Sequence, residues 1–176
     1  MVKSGNSLYF YFIITVCFPN MTQFIGEFEC KVDPKGRIAV PAGLKKQLPL
    51  QMQDKFVINR GIEKCLVLYP FNEWQIISAE VNKLNLYNRK NREFARYFFR
   101  GATELILDAT NRLNLPKQLL DYAGIDKDLV LFAYSNRIEV WSQANYDNLM
   151  SDEPEDFSAL AEEVMGKSAE RSGDVS

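Results

Sequence analysis

Short runs in which apolar and polar residues alternate, bounded by Gly, Pro, Asn and Asp, recur along most of the chain. Such runs predict β-strands, because successive side chains of a strand point to opposite faces of a sheet. The body of the chain is therefore expected to be mainly β. The strands predicted in this way are Glu27–Val32, Ile38–Val40, Lys55–Asn59, Cys65–Tyr69, Leu129–Ala133 and Arg137–Trp141.

Helices are predicted between and after these strands. Pro41 and Pro116 each open a short helical stretch, which suits proline because its missing N–H is not needed in the first turn. Each half then has the order β-β-α-β-β followed by helices, so the expected fold class is α+β and mainly β. The predicted helices are Ala42–Leu48, Phe71–Leu84, Asn91–Phe99, Lys117–Ala123 and Gln143–Met150.

The body is a tandem duplication. A shift of 75 residues aligns Gly26–Leu44 with Gly101–Leu119, and a shift of 72 aligns Leu66–Tyr69 with Ile138–Trp141. Self-similarity of this kind predicts two copies of one structural unit. The identical pairs at a shift of 75 are Gly26 and Gly101, Glu29 and Glu104, Asp33 and Asp108, Arg37 and Arg112, Pro41 and Pro116, and Leu44 and Leu119.

Each copy contains a predicted tight turn between its first two strands. In the segment from Asp33 to Gly36, Asp suits the first position, Pro sets φ at the second, and Gly accepts a positive φ at the fourth. In the second copy the turn runs from Asp108 to Asn111, and Asn is the side chain that best tolerates a positive φ. Structural roles in two hairpin turns are therefore predicted for Asp33, Gly36, Asp108 and Asn111.

The two ends of the chain differ from the body. Residues 1–20 contain an apolar run shorter than the roughly 20 residues that span a bilayer, and no small-residue cleavage site follows it. We interpret residues 1–20 as an extension produced by a start assigned upstream of Met21, with an export signal as the alternative. Residues 149–176 are expected to be an acidic, partly disordered tail in which Phe157–Met165 forms one or two helical turns. Between the ends, the predicted boundaries are 21–75 for the first repeat, 76–100 for linking helices and 101–148 for the second repeat.

The composition of the 176 residues argues against catalysis. The chain has no histidine, which excludes Ser-His-Asp and Cys-His nucleophile pairs and zinc sites that contain histidine. Its three cysteines stand far apart, without the spacing of a disulfide framework or a zinc ribbon. No catalytic residue, metal site or cofactor is therefore expected.

The net charge of −2 conceals an uneven distribution. Residues 147–176 hold nine acidic and two basic residues, so residues 1–146 hold 19 basic and 14 acidic ones, a charge of +5. A basic body beside an acidic tail is compatible with a polyanionic partner. On charge alone, an ordinary solvated surface is the favoured interpretation, because charge runs are usually exposed to solvent.

An Asp-x-x-x-Arg motif followed by an apolar-x-apolar-Pro segment, present twice, resembles the MraZ family of regulators of the division and cell-wall gene cluster. The resemblance extends from about Met21 to Asn148. It implies SpoVT-AbrB domains, here a duplicated swapped-hairpin β-barrel with flanking helices. The segments that carry it are GEFECKVDPKGRIAVP, LVLYPFNEW, ARYFFRGATELILDATNRLNLP, YAG and IEVW.

The same resemblance implies a function. Proteins of this family assemble into rings and bind repeated short boxes in double-stranded promoter DNA, mainly as repressors. The implied protein is a cytoplasmic, nucleoid-associated homo-oligomer with neither a membrane partner nor a small-molecule substrate. Asn111 stands where the family often has Gly, and residues 1–20 and the acidic tail lie outside the family pattern.

Basic side chains at the hairpin tips are the candidate DNA contacts. An arginine fork donates two parallel hydrogen bonds to guanine, which is worth about 1–3 kcal/mol of discrimination. More lysines surround the first turn, including Lys45 and Lys46, so the first repeat is expected to contribute more contact. The predicted DNA-binding residues are Lys31, Lys35, Arg37, Thr110 and Arg112.

Other interpretations of the same residues remain open. Arg37 and Arg112 could instead form ion pairs with the aspartates of their own turns. Arg89–Arg100 carries five basic residues and one acidic residue, but its aromatic side chains at helical spacing favour a core or subunit interface over stacking on bases.

Two other classes of protein are alternatives to a DNA-binding regulator. An AbrB-type antitoxin would use the acidic tail to bind a toxin, although such antitoxins usually carry one hairpin unit per chain. An enzyme with paired carboxylates is rejected, because Asp33 and Asp108 are better explained by the turns.

Overall fold

Eight strands and six helices make up the part of the chain that the computed structural model describes, which is residues 23–48, 54–151 and 156–171, with side chains up to residue 165. The predicted extension at residues 1–20 lies outside these ranges. The strands are β1 Phe24–Lys31, β2 Arg37–Ala39, β3 Lys55–Arg60, β4 Leu66–Pro70, β5 Thr103–Ile106, β6 Arg112–Asn114, β7 Asp128–Ser135 and β8 Arg137–Ser142. The helices are α1 Ala42–Lys45, α2 Phe71–Asn82, α3 Arg89–Phe98, α4 Lys117–Ala123, α5 Gln143–Ser151 and α6 Phe157–Arg171.

The elements follow the predicted order, and each half has the sequence β-β-α-β-β. The differences lie at the ends of elements. Helix α1 stops at Lys45, three residues before the predicted end, and α6 continues beyond the predicted Phe157–Met165 to Arg171. Residues 172–176 of the predicted disordered tail lie outside the described part of the chain, so that prediction is untested.

Each of the eight described strands pairs with a strand of the other repeat. The main sheet has six antiparallel strands in the order β1-β7-β8-β4-β3-β5, and β2 and β6 form a separate two-stranded ribbon. Strand β1 of the first repeat pairs with β7 of the second, while β5 of the second repeat pairs with β3 of the first. The two repeats are thus interlocked.

An approximate twofold symmetry relates the two repeats. At the centre of the main sheet, Val67 pairs with Glu139, and these positions are equivalent at the 72-residue shift. In the ribbon, Ile38 pairs with Leu113, and these positions are equivalent at the 75-residue shift. Equivalent positions of the two repeats therefore pair with each other in both sheets.

The predicted barrel needs correction, whereas the predicted hairpin is present in a short form. The hairpin is reduced to a single bridge between Val32 and Ile38, after which β2 leaves β1 and pairs with β6. Strand β2 has three residues, and the amide of Val40 after it still donates to the Asn111 carbonyl oxygen at 2.9 Å. Pro41 follows and cannot donate a ladder hydrogen bond, so the strand extends no further. The described strands form no closed barrel, because β1 and β5 remain the edges of an open sheet.

One face of the main sheet carries the largest hydrophobic core. Side chains of β3, β4, β7 and β8 meet the buried residues of the ribbon and of α1 and α4 there. Each fully buried aliphatic side chain contributes roughly 1.5–3 kcal/mol to folding. The largest fully buried side chains of this core are Ile38, Leu44, Phe56, Ile58, Leu66, Leu68, Leu113, Leu119, Leu129, Leu131, Ile138 and Val140.

The linking helices α2 and α3 pack through aromatic rings. Trp74 of α2 lies 5.8 Å from Tyr69 of β4 and stacks on Phe98 of α3 at 5.5 Å between ring centroids. Phe94 and Tyr97 of α3 are 53% and 54% exposed. The aromatic face predicted for this helix is therefore packed at Phe98 and open elsewhere.

Two compact units divide the chain at residue 143. In the second unit, the Ala159 amide donates to Asp156 Oδ1 at 2.9 Å, so Asp156 caps the beginning of α6. No helix within residues 23–48, 54–151 and 156–171 is long and apolar enough to cross a membrane.

Candidate nucleic-acid interface

The β2–β6 ribbon brings Arg37 and Arg112 onto one face. Arg37 pairs with Asn114 and Arg112 pairs with Ala39, while Ile38 and its partner point to the opposite face and are fully buried. Side chains at such diagonal positions lie about 7–8 Å apart. One arginine from each repeat therefore stands on the same outer face.

Asp33 organises the first turn. Its Oδ1 accepts hydrogen bonds from the amides of Lys35 and Arg37, each at 2.9 Å. Gly36 has a φ of +80° and donates its amide to the Asp33 carbonyl oxygen at 2.9 Å. A Cβ added to Gly36 would lie 3.2 Å from the Leu115 carbonyl oxygen, so both conformation and space favour glycine.

The same aspartate holds the arginine side chain. Arg37 Nε donates to Asp33 Oδ2 at 2.8 Å, and Nη2 lies 2.7 Å from the same oxygen. The pKa of the Asp33 carboxyl is lowered to about 2, chiefly because the Arg37 side chain donates this hydrogen bond. The ion-pair interpretation of Arg37 thus matches the geometry, and Nη1 has no hydrogen-bond partner among the described residues.

The second turn repeats this arrangement with one difference. Asp108 Oδ1 accepts from the Thr110 amide at 2.8 Å, the Thr110 hydroxyl at 2.7 Å and the Arg112 amide at 3.0 Å. Asn111 takes a φ of +59°, in the position of Gly36. Hydrogen bonding, first of all from the Thr110 side chain, lowers the pKa of Asp108 well below its usual range.

Arg112 is held by a single side-chain hydrogen bond. Its Nε donates to Asp108 Oδ2 at 3.0 Å, and its two terminal nitrogens have no hydrogen-bond partner in the described part of the chain. The side chain is 34% exposed, against 27% for Arg37. Arg112 therefore presents the more open fork of the two, although the first repeat was expected to contribute more contact.

The flanking residues make the two turns chemically unequal. Lys35 of the first turn occupies the place of Thr110 in the second. The first turn therefore has an exposed ammonium group where the second has a hydroxyl that donates to Asp108. Lys45, which follows the first turn, donates its Nζ to Asn111 Oδ1 of the second. Asn114 lies on the same outer face and pairs with Arg37, although it is not among the predicted contacts. Its place two residues after Arg112 on one strand is the sequence pattern that indicates this shared face.

Lys31 is separate from the ribbon strands. It lies at the end of β1 opposite Asp128 of β7, with its Nζ 3.6 Å from the carboxylate. Its side chain is 71% exposed. The structure thus groups four of the five predicted DNA-binding residues on the ribbon and its turns, and leaves Lys31 on the main sheet.

Residues suited to metal binding or nucleophilic chemistry do not cluster at this surface. No group of three or more His, Cys, Asp or Glu side chains able to hold a metal occurs within the described ranges. Burial raises the pKa of Cys30 to about 11 and that of Cys65 to about 12, so both thiols stay protonated near neutral pH.

These features define a class of protein. Proteins of this class carry two interlocked copies of one β-rich unit in a single chain. Each copy contributes an arginine, held by an aspartate, to a shared outer face of the ribbon. The comparisons with known proteins identify the family within that class.

The chain belongs to the MraZ family. The family profile described as "MraZ protein, putative antitoxin-like" matches it twice, at residues 23–97 and 98–167. The protein named transcriptional regulator MraZ in Christiangramia forsetii is 46% identical over 147 residues, which cover 83% of this chain and 95% of that protein. Its namesake in Flavobacterium psychrophilum is 44% identical over 83% of this chain and 94% of its own.

A more distant namesake from Natranaerobius thermophilus is 41% identical over 81% of this chain and 97% of its own length. Among solved structures, the solution structure of PHS018 from Pyrococcus horikoshii covers 66% of this chain and 96% of its own, at 18% identity. Its TM-score of 0.28 is too low to define a shared fold.

Proposed function

We propose that this chain is a transcription regulator that binds specific sequences of double-stranded DNA through the outer face of the β2–β6 ribbon. The observation that carries the proposal is the placement of Arg37 and Arg112, one from each repeat, on that face. Relatives at 41–46% identity are named transcriptional regulators. The role is one of binding rather than catalysis.

The geometry of the ribbon suits the major groove of DNA. This groove is about 12 Å wide and admits a two-stranded β-ribbon. The aspartates fix Arg37 and Arg112 through Nε, so less side-chain entropy is lost when the terminal nitrogens bind. Arg112, with both terminal nitrogens available, suits bidentate contact with guanine, while Arg37 offers Nη1 to a base or phosphate.

We also propose that several copies act together as a ring on repeated promoter boxes, and that they repress the division and cell-wall gene cluster. A single ribbon makes few contacts, so one site alone would bind weakly. Linked sites raise the overall affinity without new contacts. This accounts for DNA binding by a chain whose net charge is −2.

The kinship to AbrB-type domains is part of the same proposal. In AbrB itself, two chains supply two hairpin units, whereas here one chain carries both. Pairing of β1 with β7 and of β5 with β3 supports an exchange of strands between units. The strands exchanged in this way form an open sheet, with β1 and β5 at its edges, and not a closed barrel.

The test is fluorescence anisotropy with DNA from upstream of the protein's own gene cluster and a scrambled duplex, each at two salt concentrations. Arg37→Ala and Arg112→Ala should each raise Kd for the specific DNA about tenfold, or 1.4 kcal/mol, and the wild type should lose affinity steeply with salt. Arg89→Ala is the matched control, because Arg89 is also held by an acidic side chain, Glu93, at 3.0 Å but lies on α3.

Equal, weak binding of both duplexes by wild type and variants would refute the proposal. The antitoxin-like description of the family would then direct the search toward protein partners of the acidic tail.

A further inference from the structure

A cavity of about 650 Å³ lies on the face of the main sheet opposite the largest core. Its walls come from β3, β4 and the β7–β8 hairpin, and from helices α2 and α3, so both repeats and the linking helices contribute. Cavities of 300–1,000 Å³ with a few polar groups among apolar walls are typical of small-molecule sites. The proposed DNA-binding function makes no use of this cavity.

Asn59 supplies an unpaired acceptor at this cavity. The residue is 2% exposed, and its Nδ2 donates to the Phe98 carbonyl oxygen at 2.6 Å. That bond fixes the amide, and Oδ1 is buried without a hydrogen-bond partner. Since a buried polar atom without a partner destabilises the folded state, a ligand that donates to Asn59 would be bound favourably.

Arg137 supplies an unpaired donor at the same cavity. Its Nε is buried and has no hydrogen-bond partner, although the guanidinium lies 5.5 Å from the ring centroid of Tyr134. A positive charge with a free N–H attracts an anionic oxygen.

The other charged groups of the lining are already engaged or lie at the rim. Glu139 accepts from the Tyr134 hydroxyl at 2.6 Å and from Trp141 Nε1 at 2.9 Å. Arg60 stacks on Tyr122 at 4.4 Å, although its Nε is also unpaired, and Glu63 is exposed. Among the described lining residues, the buried polar atoms without a partner are therefore one acceptor, Asn59 Oδ1, and two cationic donors, the Nε atoms of Arg60 and Arg137.

Aromatic rings form much of the remaining wall. Phe94 and Phe98 of α3 line it on one side, while Tyr69 and Tyr134 line it from the sheet. Such rings stack on flat aromatic molecules and gain energy beyond that of burying apolar area. The shape and the free polar groups thus favour one chemical class of ligand.

We propose that this cavity binds a small, planar aromatic anion that also carries an N–H or O–H donor. Asn59 Oδ1 and Arg137 Nε are both buried in the free chain, so the side chains that cover them would move aside as the ligand enters. The donor would then bind Asn59 Oδ1, the anionic oxygen would bind Arg137, and the ring would lie among the aromatic side chains. Such a molecule is an effector and not a substrate, since no bond is made or broken.

The test uses 4-aminobenzoate, which combines an aromatic ring, a carboxylate and an amino donor, with benzoate and aniline for comparison. Calorimetric titration of the full chain should show millimolar or tighter binding of 4-aminobenzoate and at least tenfold weaker binding of the other two. Asn59→Leu and Arg137→Lys should each weaken the binding of 4-aminobenzoate at least tenfold. Arg137→Lys keeps the positive charge but lacks the Nε–H, and it decides the question should Asn59→Leu fail to fold.

Asn72→Leu is the matched control. Asn72 also has a buried, unpaired Oδ1 but does not line this cavity, so the variant should bind 4-aminobenzoate within twofold of the wild type. The proposal is overturned if the wild type fails to bind 4-aminobenzoate up to about 10 mM. It is equally overturned if the folded Asn59 and Arg137 variants bind as well as the Asn72 control.

Discussion

A single carboxylate organises each turn of the ribbon. In both repeats one oxygen accepts backbone amides while the other holds the arginine that follows four residues later. The turn and the proposed DNA contact therefore depend on the same side chain. Removing Asp33 or Asp108 would alter the direction of an arginine as well as the stability of a turn.

The ionisation of Asp33 gives a pH-dependent prediction. Because its pKa is lowered to about 2 from the usual 3.8, the ionised form stabilises the fold above about pH 4, and this contribution is lost as the pH falls toward 2. Asp33→Asn should therefore lower the free energy of unfolding at pH 7, and the difference from wild type should shrink between pH 4 and 2. Urea unfolding at several pH values measures this difference.

Asp128→Asn serves as the control for Asp33→Asn. The ion pair of Asp128 with Lys31 is long and exposed, so its loss should change stability by less than about 1 kcal/mol. A constant difference between Asp33→Asn and wild type from pH 7 to pH 2 would contradict the proposed role of the charge.

At the scale of elements, the turn residues and strand periodicity of the sequence predicted the local structure well. Positive φ at Gly36 and Asn111 depends on neighbouring residues alone, so the sequence contains the signal. The pairing of β2 with β6 is different, because it depends on burying Ile38 against a strand 75 residues away. The approach of Arg37 to Arg112 followed from that pairing, and no local pattern predicted it.

The polar groups of the cavity were missed for a related reason. Asn59 ends the apolar segment Phe56–Ile58 and was interpreted as the last residue of a strand, next to a turn. Its burial comes from α3, which covers that face of the sheet only after the linking helices have packed. The sequence does contain one indication of this burial, because Asn59 is a polar residue that directly follows a fully apolar run.

The turn of the first repeat gives a prediction at the scale of elements. Gly36→Ala should lower the free energy of unfolding by about 1–2 kcal/mol, because φ is +80° and the new Cβ would lie 3.2 Å from the Leu115 carbonyl oxygen. Gly36→Asn should cost less, since Asn111 occupies the equivalent place with φ of +59°. Chemical denaturation compares both variants with wild type, and equal losses would refute the argument from backbone conformation.

At the scale of the whole molecule, interlocked pairing makes the two repeats interdependent. The first repeat on its own would lack the partners of β1 and β2, and the second would lack the partners of β5 and β6. Each would expose unpaired strand edges. A chain of residues 21–100 alone should therefore be unfolded or aggregated, as should residues 101–176 alone. Co-expression of the two pieces should restore a folded complex, measured by circular dichroism and size-exclusion chromatography. Independent folding of either piece as a monomer would contradict the interlocked pairing.

The register of β1 also has a consequence for protein synthesis. Phe24 pairs with Ser135, so β1, the first of the described strands to leave the ribosome, finds its partner only after more than a hundred further residues have been added. At roughly 5–20 residues per second, that interval lasts on the order of 5–20 s. Throughout it, an eight-residue strand lacks its native partner and presents unpaired N–H and C=O groups to other growing chains on the same messenger RNA.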